Sequence, residues 1–163
     1  MHTVCYTHVE SPVGKLLLAT GEKGLQLISF PGGRHARQPE PGWREERKPL
    51  EPVIGELHAY FAGELHEFDL VLDPQGTPFQ LTVWKRLTEI PYGETISYGE
   101  LAKRVGNPNA SRAVGLANGS NQIPIVIPCH RVIGSNGKLT GYGGGLQTKE
   151  RLLALERKQL TLL

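Results

Sequence analysis

Apolar positions in the first thirty residues recur at alternate sites or in short runs bounded by turn residues. "HTVCYTHV" alternates, "KLLLAT" and "LQLISF" are compact apolar runs, and "SPVG" and "GEKG" separate them as turns. This pattern predicts β-structure. Residues 31–49 lose all periodicity and are rich in Pro, Gly and charge, as expected of an exposed loop. Periodicity returns with Val53, Ile54, Leu57, Tyr60 and Phe61 at helical spacing, and "FDLVLD" predicts one more short strand. "PQGTP" reads as a linker, which places a domain boundary near residue 75 and predicts domains over 1–75 and 76–163.

Beyond the linker the period becomes helical. Thr77 is placed to cap a helix with Pro78 in its first turn, and Phe79, Val83, Trp84, Leu87 and Ile90 mark one face. "SYGE" has the S-x-x-E pattern of a capping box and opens a short helix through Leu101, Ala102 and Val105. After the turn "GNPNAS", "SRAVGLANG" predicts a second short helix, and the pair has the form of a helix-turn-helix. That second helix is nearly bald. Ala113, Gly115, Ala117 and Gly119 leave Arg112 as its only charge, whereas a helix reading bases in the major groove needs long polar side chains. A bald helix can enter a narrower groove with one arginine as probe. Tight packing inside the protein is the simpler account of its composition alone.

Composition adds limits. With 163 residues the chain suffices for one ordinary domain or two small ones sharing a core. No apolar run spans a bilayer and the N-terminus lacks a signal-peptide pattern, so a cytoplasmic location is expected, where thiols stay reduced. Residues 1–75 carry seven Lys/Arg against eleven Asp/Glu, a net of −4, and residues 76–163 carry eleven against five, a net of +6. A basic second half suits an anionic partner such as nucleic acid, although solubility explains the bias equally well. The two cysteines, Cys5 and Cys129, form neither a disulfide framework nor a zinc spacing, so no metal is expected. Cys5 reads as a small buried hydrophobe within the first strand.

Cys129 differs. It lies in "IPIVIPCHRVIGSNGKLTGYGGG", after a β-branched run read as a short buried strand and before a glycine-studded loop. His130 and Arg131 follow directly, and Glu156 lies further on, in the last predicted helix. A thiol becomes nucleophilic when a base or cation favours its thiolate, and glycines let backbone N–H groups approach a substrate. Most Cys-His pairs nevertheless carry no chemistry, and spacing alone leaves both readings open.

The longer pattern settles on a family. "IPCHRVIGSNGKLTGYGGG", with "RAVGLANGSNQIPI" before it and "KERLLALE" after it, resembles the O6-alkylguanine-DNA alkyltransferases, or methylated-DNA–protein-cysteine methyltransferases. The likeness covers nearly all of the second half, whereas the first half resembles the family only in its strand and helix order, including "SPVGKLLLAT" and "AYFAGEL". It implies an α+β fold: a small N-terminal α/β domain, ribonuclease H-like, then a mainly helical domain with a winged-helix-like helix-turn-helix. It further implies a DNA-repair enzyme that transfers an alkyl group from guanine O6, and possibly from O4-alkylthymine, irreversibly to its own Cys129, acting once. No cofactor is implied. In such a site His130 would act through a water as base, Glu156 would orient it, Asn121 would tie the helix-turn-helix to the active-site strand, and Tyr98 would protonate the leaving guanine. Val132, Tyr142, Gly143 and Lys149 would line the substrate pocket, with the Val132 and Cys129 carbonyls accepting from the guanine amine. Arg112 would replace the flipped nucleotide, with Ala113, Gly115, Ala117, Asn118 and Gly119 lying in the minor groove of double-stranded DNA without sequence preference. A monomer is expected.

Three departures qualify the resemblance. Gly143 stands where some members carry a serine that holds guanine O6, Asn118 and Gly119 stand where others are bulkier or basic, and Cys5 has no second N-terminal cysteine for zinc. Two other functions compete. An alkyltransferase-like protein would bind the lesion without transfer, but such relatives replace the cysteine, and Cys129 is present. A thiol hydrolase would leave the helix-turn-helix unexplained.

Overall fold

A computed structural model describes residues 3–32, 36–139, 142 and 144–161, with side chains through 158. Three antiparallel strands open the chain: β1 (Cys5–Val9), β2 (Leu16–Gly21) and β3 (Gly24–Ser29). The hairpin between β2 and β3 turns at Gly24, which has φ +144° and where a Cβ would lie 2.6 Å from the Val71 carbonyl oxygen, so only glycine fits. Residues 31–49 are less featureless than their composition predicts. Arg44–Glu45 form β4, paired parallel to β1, which gives the sheet order β3-β2-β1-β4. Trp43 packs with Val4 and Tyr6 over Leu17, Ala19 and Leu27 on one face of the sheet, and Leu50 closes the segment fully buried.

Helix α1 (Glu51–Phe61) covers the other face through Val53, Ile54, Leu57 and Tyr60, all buried. The strand expected from "FDLVLD" is reduced to a bridge between Leu25 and Leu72, held by Leu25 N–H donating to Val71 O and Asp73 N–H to Leu25 O. Cys5 is half-exposed with its thiol 3.5 Å from a Glu46 carboxylate oxygen, and is therefore not the buried hydrophobe its alternating position suggests.

The second half begins at α2 (Pro78–Leu87), where Thr77 and Gln80 form a reciprocal capping box. Helix α3 (Tyr98–Arg104) is capped by the Ser97 hydroxyl, and α4 (Ser111–Gly119) follows as the second helix of the pair. Trp84 of α2, buried, donates its indole N–H to Ala117 O at 2.8 Å and fixes α2 against α4. Two short strands, β5 (Ile96–Ser97) and β6 (Val132–Ile133), pair in parallel and bring the start of α3 beside the segment after Cys129. Helix α5 (Leu146–Thr161) packs against residues Cys129–Arg131. One continuous apolar core runs from β2, β3 and α1 through α2 and α4 to α5. Among the described residues no helix is long and apolar enough to cross a membrane.

Candidate functional site

The segment before Cys129 is not the predicted strand. Residues 123–128 form consecutive turns, in which Ile127 N–H donates to Ile123 O at 2.9 Å and Ile125 takes φ +75°. Pro124 and Pro128 have no N–H to give a sheet ladder, and a β-branched residue at positive φ breaks an extended run. The apolar pattern was a signal of burial: Ile123, Ile125 and Ile127 are all inside. Asn121 holds this turn from one end. Its amide donates to Ile127 O at 2.8 Å and its carbonyl oxygen accepts from Ile123 N–H at 3.0 Å. Cys129 then starts a single 3-10 turn, Cys129–Arg131, with its thiol 4% exposed at residue level.

That turn splits three consecutive side chains between two directions. Cys129 faces a cleft, while His130 and Arg131 point inward to Glu156 of α5. His130 Nε2 lies 2.6 Å from Glu156 Oε2, with both side chains wholly buried. Arg131 donates Nε to Oε1 at 2.9 Å and Nη2 to Oε2 at 3.1 Å, and its Nη1 to Ile90 O at 2.7 Å. Gly93 N–H reaches Oε1 at 3.1 Å, and the Tyr60 hydroxyl of α1 donates to Oε2 at 2.7 Å. Burial alone would push the Glu156 carboxyl up. The His130 and Arg131 hydrogen bonds and charges reverse this and hold it well below the usual carboxylate range. Burial pushes the His130 ring down despite Glu156, which keeps the imidazole neutral at rest. With Nε2–H given to the carboxylate, Nδ1 is a bare acceptor, and it is buried without a hydrogen-bond partner.

Burial also pushes the Cys129 thiol up, moderated by Asn121, by Tyr142 and by the charge of Lys149. Lys149 is fully buried, and burial lowers its ammonium to about 8. Its Nζ donates to Val132 O at 2.6 Å and sits 5.9 Å from the Tyr98 ring centroid. The Val132 carbonyl expected to meet a substrate amine is thus already engaged by Lys149. The Cys129 carbonyl likewise accepts from the Asn118 amide at 3.3 Å. The buried Tyr142 hydroxyl faces the Cys129 thiol, and its ring leans on Phe30 at 5.8 Å. Gly143 lies outside the described residues.

A cleft of about 1190 Å³ opens above the thiol. Cys129, Tyr98, Tyr142, Asn121, α4, the end of β3 and Arg37 line it. On α4, Arg112, Ala113 and Gly119 are exposed and Gly115 is half-buried over the Tyr98 ring, where a Cβ would sit 3.7 Å away. The expected outward-facing set is corrected at Ala117 and Asn118, which are 3% and 2% exposed. They turn inward because α4 packs on Trp84 and on the Cys129 turn. Leu116, 73% exposed, is the large apolar residue on the outer face instead. Sequence reasoning gave no role to Arg131 or Tyr60. Arg131 sits inside the Cys-His motif itself, whereas Tyr60 falls on an apolar helical stripe and reads as core. Among the described residues no three His, Cys, Asp or Glu side chains cluster as a metal site would require.

Two family models match in tandem. Residues 4–74 match the 6-O-methylguanine DNA methyltransferase ribonuclease-like domain, and residues 78–158 match the 6-O-methylguanine DNA methyltransferase DNA-binding domain. The chain belongs to the O6-methylguanine-DNA methyltransferase family. Its fold is accordingly a ribonuclease-like α/β domain followed by a helical DNA-binding domain, as the resemblance implied. Among family members, the methylated-DNA–protein-cysteine methyltransferase of Methanosarcina acetivorans is 55% identical over 93% of this chain and 97% of its own. That of Mycolicibacterium paratuberculosis is 53% identical over 94% and 92%. The crystal structure of Mycobacterium tuberculosis O6-methylguanine methyltransferase superimposes with a TM-score of 0.89 at 49% identity, over 98% of this chain and 99% of that one. The Mycobacterium tuberculosis OGT solved in complex with DNA gives the same score and identity over 95% and 94%.

Proposed function

We propose that this methyltransferase repairs DNA directly, moving the alkyl group of O6-alkylguanine irreversibly onto Cys129. The observation that carries this reading is a thiol facing an open cleft and backed by a buried His–Glu pair, on a chain whose relatives are named for that transfer. In the reaction His130 Nδ1 takes the thiol proton through a bridging water, and Glu156 Oε2 steadies the imidazolium at Nε2. Cys129 Sγ attacks the alkyl carbon, the C–O6 bond breaks, and its electron pair leaves with guanine as Tyr98 supplies a proton. A thioether forms that no neighbouring group hydrolyses, so each molecule acts once. Asn121 and Asn118 fix the turn that presents the thiol, and Lys149 favours the thiolate through its charge while bracing the Val132 carbonyl.

The target atom is hidden in a duplex, so the base must leave the stack at a cost of a few kcal/mol. Arg112 enters in its place, and the small exposed residues of α4 lie along the minor groove with contacts to the backbone and no sequence preference. We read residues 76–163 as the unit that binds DNA and carries the thiol, residues 1–75 as the supporting domain, and the protein as a cytoplasmic monomer. The test is stoichiometry with excess O6-methylguanine duplex. Repaired guanine should plateau at one equivalent per chain. Continued turnover, or tight binding without repair, would refute this reading.

A further inference from the structure

The ribonuclease-like half contributes one polar group to the buried network behind the thiol. Tyr60 is wholly buried in α1, and its hydroxyl crosses to α5 to donate to Glu156 Oε2 at 2.7 Å. That oxygen is the one that meets His130 Nε2, and Arg131 Nη2 is its third donor. Packing fixes the tyrosine there. Phe61 lies edge-on at 5.3 Å, Phe68 leans on it at 5.4 Å, and Tyr92 stands edge-on at 6.2 Å. A phenylalanine would satisfy every one of these ring contacts. The hydroxyl is the part they leave unexplained.

We propose that Tyr60 is a positioning residue for alkyl transfer, its hydroxyl setting how strongly Glu156 draws on the His130 proton. The inference rests on the roles proposed above for His130 and Glu156. A hydrogen bond given to a carboxylate lowers its basicity. With Tyr60 donating, Oε2 shares its charge among three donors and stabilises the imidazolium less. His130 then stays neutral at rest and free to take the Cys129 proton. The charged and titratable groups facing this pair are Arg131 from the same turn, Lys149 from α5, Tyr92 from the loop after α2, and Tyr142 from the loop before α5. Replacing the hydroxyl with hydrogen concentrates Oε2 on His130, so protonation of His130 should persist to higher pH.

The experiment is single-turnover methyl transfer from an O6-methylguanine duplex at saturating protein, measured between about pH 5 and 9, where a base of this kind titrates. Tyr60→Phe should move the acid limb up by about half a pH unit, roughly a threefold lower rate at a fixed pH on that limb. Its duplex affinity should be unchanged. Phe68→Leu loosens the ring packing without touching the hydroxyl, so it should lower stability and leave the profile in place. A Tyr60→Phe profile that overlays the wild type, or an equal shift in Phe68→Leu, would overturn the inference while leaving the transfer reading intact. Absence of transfer by the wild-type chain would remove both.

Discussion

Replacing Glu156 with glutamine tests the buried network most severely. Arg131 is 6% exposed and gives two of its donors to Glu156, with the neutral Ile90 carbonyl as the partner left to Nη1. Glutamine keeps one acceptor oxygen but turns an NH2 group toward donors, and it leaves the guanidinium buried without a counter-charge. Removing one partner of such a pair costs about 3–5 kcal/mol, a large share of the roughly 5–15 kcal/mol that holds a domain together. Urea denaturation at pH 7 should show that loss as a lower midpoint at unchanged slope. Acid gives the second arm. The Glu156 carboxyl is held below its ordinary value near 4.5, so its charge contributes stability above that pH. The contribution fades as pH falls below it toward the folded value, so the gap between wild type and Glu156→Gln should narrow in acid. Replacing both partners, as Arg131→Met with Glu156→Leu, should recover part of the loss, because the guanidinium is no longer left without its counter-charge while the Tyr60 hydroxyl, His130 Nε2–H and Gly93 N–H still lose their acceptor. A Glu156→Gln protein within about 1 kcal/mol of wild type at pH 7, or a gap that widens in acid, would refute the reasoning.

Other expectations follow from single contacts. Asn121→Ala removes both hydrogen bonds that shape the turn before Cys129, each worth about 1 kcal/mol, and should slow transfer with little change in duplex affinity, read by single-turnover kinetics. Gly144→Ala should destabilise by about 1–3 kcal/mol, because its methyl would lie 2.6 Å from the Phe30 ring, and adding Phe30→Leu should restore part of it in a thermal melt. Arg112→Ala should weaken duplex binding equally across sequences and reduce the slope of log K against log salt by about one. A sequence-dependent loss would contradict its proposed entry in place of the flipped base.

The second half was the more legible because its signals are local. The Thr77 cap, the Ser97 cap and the small-residue helix each depend on residues within one turn, and the structure has all three. β1 to β3 were visible for the same reason. The run Ile123–Ile127 misled because burial and extension leave the same apolar signature, and the Asn121 amide that bends it acts across several residues. The loop over residues 31–49 concealed β4, since a two-residue strand draws its stability from β1 rather than from its own sequence. In the site, Cys129, His130 and Glu156 stood out in the sequence itself, and their roles came through the resemblance. Tyr60 was not, because its partner is 96 residues away and nothing in an apolar helical stripe distinguishes a hydroxyl with a task from one that fills space. The inward turn of Asn118 was equally hidden, being set by the packing of α4 on Trp84.

The central claim is that Cys129 itself accepts the alkyl group. Intact mass of the protein after incubation with a duplex carrying one O6-methylguanine, followed by peptide mapping, tests it most directly. The account predicts one added methyl group on the peptide containing Cys129, the lesion returned to guanine, and no further gain with fresh duplex. An unchanged mass with tight binding to the lesion, or a methyl group on Cys5, would contradict it.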